Sequence, residues 1–409
     1  MREVLIVAAT RTPFGRFGGI LKDLTAVELG AVAIREAVRR ANVEGPVLSV
    51  SEGKAIDRVI LGNCMGAATL GQVPARQAAL KAELPDSVPT MSINTACTSA
   101  LQAAGLGFAL IRHGEAEVIV TGGMESMSQV PYTLPQARWG YRLGHGQIVD
   151  ALTNALTCPI SGVHMGVFAS QVAKEYGIGR QEQDRWALRS QQRYQAAHAA
   201  GKFADEIVPV EVETRKGKIV VNEDEQPRPD TTYEKLAALS PAFEPEGTVT
   251  AGNAPGLNDG AAALVLMSGQ TAEASGLEPL ARIVTAASGA AAPRLINVVP
   301  ALAAQNALQK AGLTVRDIAL WEINEAFAAV TLTAIKILGV DPELVNVNGG
   351  SVAIGHPVGA TGARILMTLI YELRRRGGGM GLATICGAGA HGYAMIVEVA
   401  GQYPISNIQ

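Results

Sequence analysis

The sequence predicts an α/β protein of two similar halves, with a more exposed segment inserted between them. Three observations carry that expectation. Short β-rich runs alternate with helical stretches over residues 1–125, as in a layer built on a largely parallel sheet. Residues 127–255 change character, and from residue 258 the first pattern returns. The halves also rhyme: Asn94, a helix at Cys97 and "VIVTGG" parallel Asn348, a helix after Gly359 and "LATICG", which points to duplication.

In chain order, "EVLIVAA" (3–9) reads as a strand and "AVELGAVAIREAVRRA" (26–41) as a helix. "DRVILGN" (57–63) and "TMSIN" (90–94) are strands, "CTSALQAAGLGFALIRHG" (97–114) a helix without charge before Arg112, and "EVIVTGG" (117–123) a strand. The inserted segment carries proline, aromatics and charge, an amphipathic helix at 180–200 closed by Gly201, and the charged "ETRKGKIVVNEDEQPRPD" (213–230). The second half follows with "GAAALVLMS", "LARIVTAAS", a helix at 300–311, "IALWEIN", "NVNGG", a helix after Gly359, "GLATICGAG" and "AMIVEVA". The expected domains are 1–126 plus 256–270, an inserted 127–255, and 271–409.

A chain of 409 residues has room for two or three domains with large cores. With 48% apolar and 17% charged residues, much surface is expected to be covered, internally or in an oligomer. The net charge of −3 is dispersed, with no basic stripe for nucleic acid. Cys64, Cys97, Cys158 and Cys386 lack metal spacing and are too few for a disulfide scaffold, so a reducing, cytoplasmic setting is expected. The first residues lack signal-peptide regions, no apolar run reaches spanning length, and "SNIQ" is not a peroxisomal address.

Cys97 is the first candidate for chemistry. A free cysteine is ordinary core packing. Between a strand end and a helix start, however, unpaired N–H groups and the positive end of the helix dipole face the sulfur, which favours thiolate. Three later segments, "NEAF" (324–327), "NGGSVAIGHPVGATGARIL" (348–366) and "CGAGAHG" (386–392), each set a polar or reactive group at a strand end among glycines. "GHPVGATGA" lacks the lysine of a phosphate-binding P-loop. His356 alone reads as a structural histidine and Cys386 alone as packing. Together, two thiols, an imidazole and an amide suit carbon–carbon bond chemistry on thioesters: one thiolate carries an acyl group, another base takes an α-proton, and donors hold the oxyanions.

"CTSALQAA", "GLNDGAA", "NEAFAA", "GGSVAIGHPVGATGARIL", "CGAGAHG" and the early "VAATRTPFGRFGG" resemble, in order and spacing, the blocks of the thiolase family over nearly the whole chain. "HMG" (164–166) is similar to the acetoacetyl-CoA-forming branch. The resemblance implies a five-layered αβαβα fold from two similar halves with a loop domain for coenzyme A, a dimer or tetramer, and no metal in the chemistry. It implies reversible condensation of two acetyl-CoA to acetoacetyl-CoA, with coenzyme A and acyl-CoA, including 3-ketoacyl-CoA, as substrates and no permanently bound cofactor. Carried onto matching positions, Cys97 is the acylated nucleophile, His356 its base, Cys386 the α-proton carrier, and Asn324 the holder of a water in an oxyanion hole shared with His356. The N–H groups of Cys97 and Ala388 form a second hole. Arg228 lies near the coenzyme A nucleotide, and His164, Met165, Phe243 and Phe327 line the pantetheine and acyl pocket.

Four departures from the family pattern bear on these roles. Pro255 stands where a serine hydroxyl meets the cofactor in many members, and Ala388 replaces a glycine freer to adopt positive φ. "TSA" after Cys97 replaces a glycine-containing run, and "INVVPAL" (296–302) lacks a methionine that narrows the acyl pocket. The competing readings are a broader degradative 3-ketoacyl-CoA thiolase and a non-catalytic thiolase-fold subunit. A β-ketoacyl synthase shares the fold logic but calls for two histidines, where this chain has Cys386.

Overall fold

The computed structural model describes residues 2–41, 56–66 and 70–401, which leaves "SNIQ" outside the described residues. In the first half, strand β1 (Val4–Arg11) leads to helix α1 (Ala26–Arg40), β2 (Arg58–Gly62), α2 (Pro74–Lys81), β3 (Thr90–Ile93), α3 (Ser99–Arg112) and β4 (Val118–Ser126). The intervening segment contributes α4 (Met165–Glu175) and α5 (Arg180–Ala199), followed by a hairpin of Val210–Thr214 and Gly217–Val221. Then come β5 (Asn258–Ser268), β6 (Ala281–Ala290), α6 (Val299–Ala311), β7 (Leu320–Ile323), α7 (Ala328–Leu338), α8 (Thr361–Arg375), β8 (Gly379–Gly387) and β9 (His391–Val399).

The strands run in the order β7-β8-β9-β6-β1-β5-β4-β2-β3, with Gly15–Arg16 added along β5. Only the pairs Leu5–Arg282 and Ile6–Ala281 join β1 to β6, so the sheet folds into two halves there. Alternate residues of each strand face opposite layers. On β1, Leu5 and Val7 pack with α1 and α2, whereas Val4 and Ile6 face α3 and α8. On β8 and β9, Ala383, Ile385, Met395 and Val397 face the same two helices, and Leu382, Ala394 and Ile396 face α6 and α7. The result is helices, sheet, α3 with α8, sheet, helices: the five layers expected. A helix covered on both sides has no place for unpaired charge, in keeping with the uncharged run of α3. α8 is buried from Thr361 through Leu373 and carries Arg364 and Glu372 inside.

Two local expectations change. The sheet is mixed rather than largely parallel: among the described residues only β2–β3, β2–β4 and β7–β8 are parallel. Parallel neighbours need a crossover, which α2, α3 and the α7–α8 stretch provide, while the short turn from Gly387 to His391 forces β9 back against β8. The segment 127–255 is also less exposed than its composition suggests. Trp186, Ser190 and Tyr194 of α5 are buried, and Trp186 Nε1 and Ser190 Oγ donate to Glu325 at 2.8 Å each. "NVNGG" is a turn rather than a strand, tied to β7 through Asn346, whose N–H donates to the Trp321 carbonyl and whose side-chain amide exchanges hydrogen bonds with the Ile323 backbone at 2.9 Å each.

Leu101 on α3 is fully buried between the sheets. Leu101→Ala is expected to lower unfolding stability by roughly 2–5 kcal/mol, the cost of a core cavity. An unshifted denaturant midpoint would contradict this packing.

Candidate active site

A cavity of about 590 Å³ opens where the loops ahead of α3 and α8 meet the β8–β9 turn. Cys97, His356, Cys386 and Ala388 line it, together with His164, Met165, Phe243, Phe327, Pro255 and Ile296. Asn324 is buried behind the wall formed by Ala326 and Phe327. Arg228 lies at the rim, its guanidinium 3.5 Å from the carbonyls of Ala251 and Gly252.

The Cys97 loop is a tight turn. Ala96 adopts φ 52°, its N–H donating to Asn94 Oδ1 at 3.1 Å, and Ser99 Oγ closes the turn on the Ala96 carbonyl at 2.6 Å. A non-glycine residue in this region stores strain, which neighbouring bonds must hold. Cys97 therefore precedes the helix, whose first residue is Ser99. The backbone N–H groups of Cys97 and Ala388 both act on its sulfur in favour of the ionised form. Ala388 itself does not take positive φ; Gly389 (84°) and Ala390 (55°) do, so the alanine substitution brings no backbone strain at its own position.

Thiolate activation by the helix terminus alone is not what the environment produces. Burial pushes the Cys97 thiol up to about 12, and the Glu125 carboxylate adds to this against the two N–H groups. Desolvation outweighs the dipole because the sulfur lines a cavity walled by protein rather than lying in open water. Cys386 is also raised, first by burial and then by Cys97. Both thiols therefore rest protonated and need a base.

His356, which lines the same cavity, is built to act as one. Its Nδ1 lies 2.8 Å from Thr361 Oγ1, whose own proton goes to the Pro357 carbonyl at 2.9 Å. The hydroxyl has one proton to give, so Nδ1 carries the hydrogen and Nε2 presents a lone pair. Nε2 has no protein partner. Burial, with Arg364 nearby, lowers His356 to about 3, which keeps the ring neutral. The backbone N–H of His356 is anchored to Asn258 Oδ1 at 2.9 Å, which gives the "GLND" block a positioning task.

Under both loops lies Glu125, which the sequence reading passed over as part of a strand. Its carboxylate accepts from Asn63 Nδ2 (3.0 Å) and from the N–H groups of Cys64 (3.0 Å), Met65 (3.1 Å) and Gly359 (3.1 Å). Burial raises it to about 7 despite those donors. At Gly359 a Cβ would come within 2.6 Å of the Met124 carbonyl, so only glycine lets the His356 loop approach.

The outer wall is aromatic. His164 caps α4, its Nδ1 accepting from Gly166 N–H at 3.1 Å, and its ring stacks on Phe243 at 4.2 Å. Phe243 meets Phe327 edge-on at 6.1 Å. A Cβ at Gly166 would lie 2.2 Å from the Phe243 ring, which fixes the glycine of "HMG". Arg228 is half-buried rather than exposed; burial and then the neighbouring Arg16 lower it. That second cation went unnoticed in the sequence. Among the described residues no group of three or more His, Cys, Asp or Glu side chains is disposed to hold a metal ion.

Residues 4–270 match the thiolase N-terminal domain and residues 277–399 the thiolase C-terminal domain. The chain belongs to the thiolase family. It is 50% identical over 400 residues to an acetyl-CoA acetyltransferase of Escherichia coli, covering 97% of this chain and 99% of that protein. An acetyl-CoA acetyltransferase of Syntrophomonas wolfei is 46% identical over 402 residues, covering 97% and 99%. Among solved thiolase-fold structures, the Bacillus anthracis acetyl-CoA acetyltransferase superposes with a TM-score of 0.93 at 46% identity, covering 98% of this chain and 99% of the other. Human mitochondrial 3-ketoacyl-CoA thiolase follows at 0.92 and 41%, covering 97% and 99%.

In this thiolase, Thr361→Val keeps the shape but leaves Nδ1 without an acceptor. Alkylation of Cys97 by iodoacetamide at pH 7 is expected to slow about tenfold, part of the roughly 10²–10⁴ that a positioned general base supplies. An unchanged rate would mean that Thr361 does not set the imidazole.

Proposed function

We propose that this thiolase is an acetyl-CoA C-acetyltransferase, joining two acetyl-CoA into acetoacetyl-CoA and coenzyme A by a ping-pong reaction through an acyl-cysteine. The observation that carries the reading is the single cavity wall shared by Cys97, His356, Cys386 and the Ala388 backbone. The names of its relatives point the same way.

In the first half-reaction His356 Nε2 takes the Cys97 proton as the sulfur attacks the acetyl carbonyl. The oxyanion is received by the N–H groups of Cys97 and Ala388, and the proton passes to departing coenzyme A. In the second, His356 takes up the Cys386 proton, and the Cys386 thiolate removes an α-proton from another acetyl-CoA. A buried thiol of raised pKa is a stronger base once ionised, which suits a weak carbon acid. The enolate oxygen is held by His356 and, through a water, by Asn324; the carbanion then attacks the acetyl group and expels the Cys97 thiolate, which takes its proton back from His356.

Coenzyme A enters as a substrate, its pantetheine along the His164–Phe243–Phe327 wall and its phosphates toward Arg228 and Arg16. Met165 and Pro255 complete the channel, with residues 127–255 as the loop domain between the two thiolase halves, 1–126 plus 256–270 and 271–409. Ile296 packs with Met165 and Cys386 at the acyl end, so a branched side chain fills space there in place of the family's methionine. This favours short acyl groups over the broad degradative reading. We further assign the enzyme to a homodimer or homotetramer in a reducing cytoplasm, in keeping with four unpaired cysteines.

The two thiols should fail differently. With acetyl-CoA alone, intact mass should show no acetyl group on Cys97→Ala, whereas Cys386→Ala should gain one on Cys97 yet form no acetoacetyl-CoA. Acetylation that survives loss of Cys97 and vanishes with Cys386 would reverse the roles.

Arg228→Ala should raise KM for coenzyme A about tenfold, the scale of one charge-assisted contact, with kcat little changed. Steady-state thiolysis with an unchanged KM would remove Arg228 from the nucleotide site.

A further inference from the structure

Asn324 and His356 come from separate loops, yet one turn of a buried helix reaches both. Thr361 and Arg364 lie three residues apart on α8 and so on one face. Thr361 holds His356, as described. Arg364 Nη2 donates to Ser351 Oγ at 2.7 Å, and Ser351 Oγ donates to Asn324 Oδ1 at 2.6 Å.

The direction of this chain follows from the donor count. A guanidinium only donates and a hydroxyl has one proton, so an Arg364 bond to Ser351 leaves the serine proton for Asn324 Oδ1. The amide is thereby turned with its oxygen toward Ser351. Its Nδ2 is buried and has no protein partner. All members of the chain are buried, and Arg364 is itself fixed by Glu322 at 3.3 Å. Buried, oriented dipoles of this kind need no reorganisation when charge develops beside them.

We propose that Arg364 and Ser351 form a positioning relay that holds the Asn324 amide with Nδ2 free for the enolate-side oxygen, so that it serves condensation and not acylation of Cys97. The relay rests on the acetyltransferase reading. It separates two jobs of α8: Thr361 sets the base, and Arg364 sets the donor. Neither Arg364 nor Ser351 touches substrate.

The test uses the full-length enzyme. Ser351→Ala removes the link without disturbing the Arg364–Glu322 pair. It should lower kcat for acetoacetyl-CoA formation by about 10- to 100-fold, below the roughly 10²–10³ for deleting an oxyanion donor itself. KM for acetyl-CoA and the extent of Cys97 acetylation by intact mass should stay as in the unaltered enzyme, and Ser351→Thr, which keeps the hydroxyl, should restore most of kcat. In an Asn324→Ala background, Ser351→Ala should cost nothing more. An unchanged kcat in Ser351→Ala, or the same loss with and without Asn324, would overturn the relay. Absence of Cys97 acetylation in the unaltered enzyme would instead strike at the acetyltransferase reading beneath it.

Discussion

The catalytic groups arrive from opposite halves of the chain, and the Glu125 carboxylate ties their loops together. It accepts from the Asn63–Met65 turn on one side and from Gly359 on the other, while the Cys64 carbonyl in turn takes the Asn94 amide just before the nucleophile. Each carboxylate oxygen accepts two hydrogen bonds, which favour the anion against the burial that raises the group to about 7. Its charge also opposes ionisation of Cys97. The same group that fixes the geometry thus adds to the burial that keeps the thiol protonated.

Charge is scarce in this sequence, yet some of it lies at the seam between the halves. Arg11 pairs with Glu206 at 3.0 Å and Asp224 at 2.6 Å with no solvent exposure, joining β1 to the segment after α5. Thr368 of α8 donates to the same Glu206 at 3.1 Å. Buried pairs add little net stability over apolar packing, but losing one partner is costly, so they specify which surfaces meet. Sheet, inserted segment and α8 are locked in one register around the cavity.

The parts legible in the sequence were those with local signatures. A thiol between a strand and an uncharged helix, glycines flanking His356 and Cys386, and the alternation of strands and helices all show within a few residues. What escaped depends on contacts far apart in the chain. Glu125 and Gly359 are separated by 234 residues, and in sequence Glu125 is one polar residue at a strand end. Ser351 and Thr361 look like small fillers of a glycine-rich run; only the positions of Asn324 and His356 give their hydroxyls meaning. The antiparallel pairs escaped because strand direction depends on which neighbour a strand finds, not on its own pattern. The ionisation state of Cys97 escaped because a helix start is visible in sequence and enclosure within a cavity is not.

The wall of stacked rings has a bearing on how such an enzyme diverges. His164 and Phe243 belong to the inserted segment, whereas Cys386 lies at the end of β8 and Cys97, His356 and Asn324 sit on loops of the two halves. Under the proposed function, much of tail recognition is thus written on a different stretch of chain from bond-making. Drift in residues 127–255 can retune which thioester tails are admitted while the distances among the reacting atoms stay as they are, so new substrate ranges are open to this scaffold without rebuilding its chemistry.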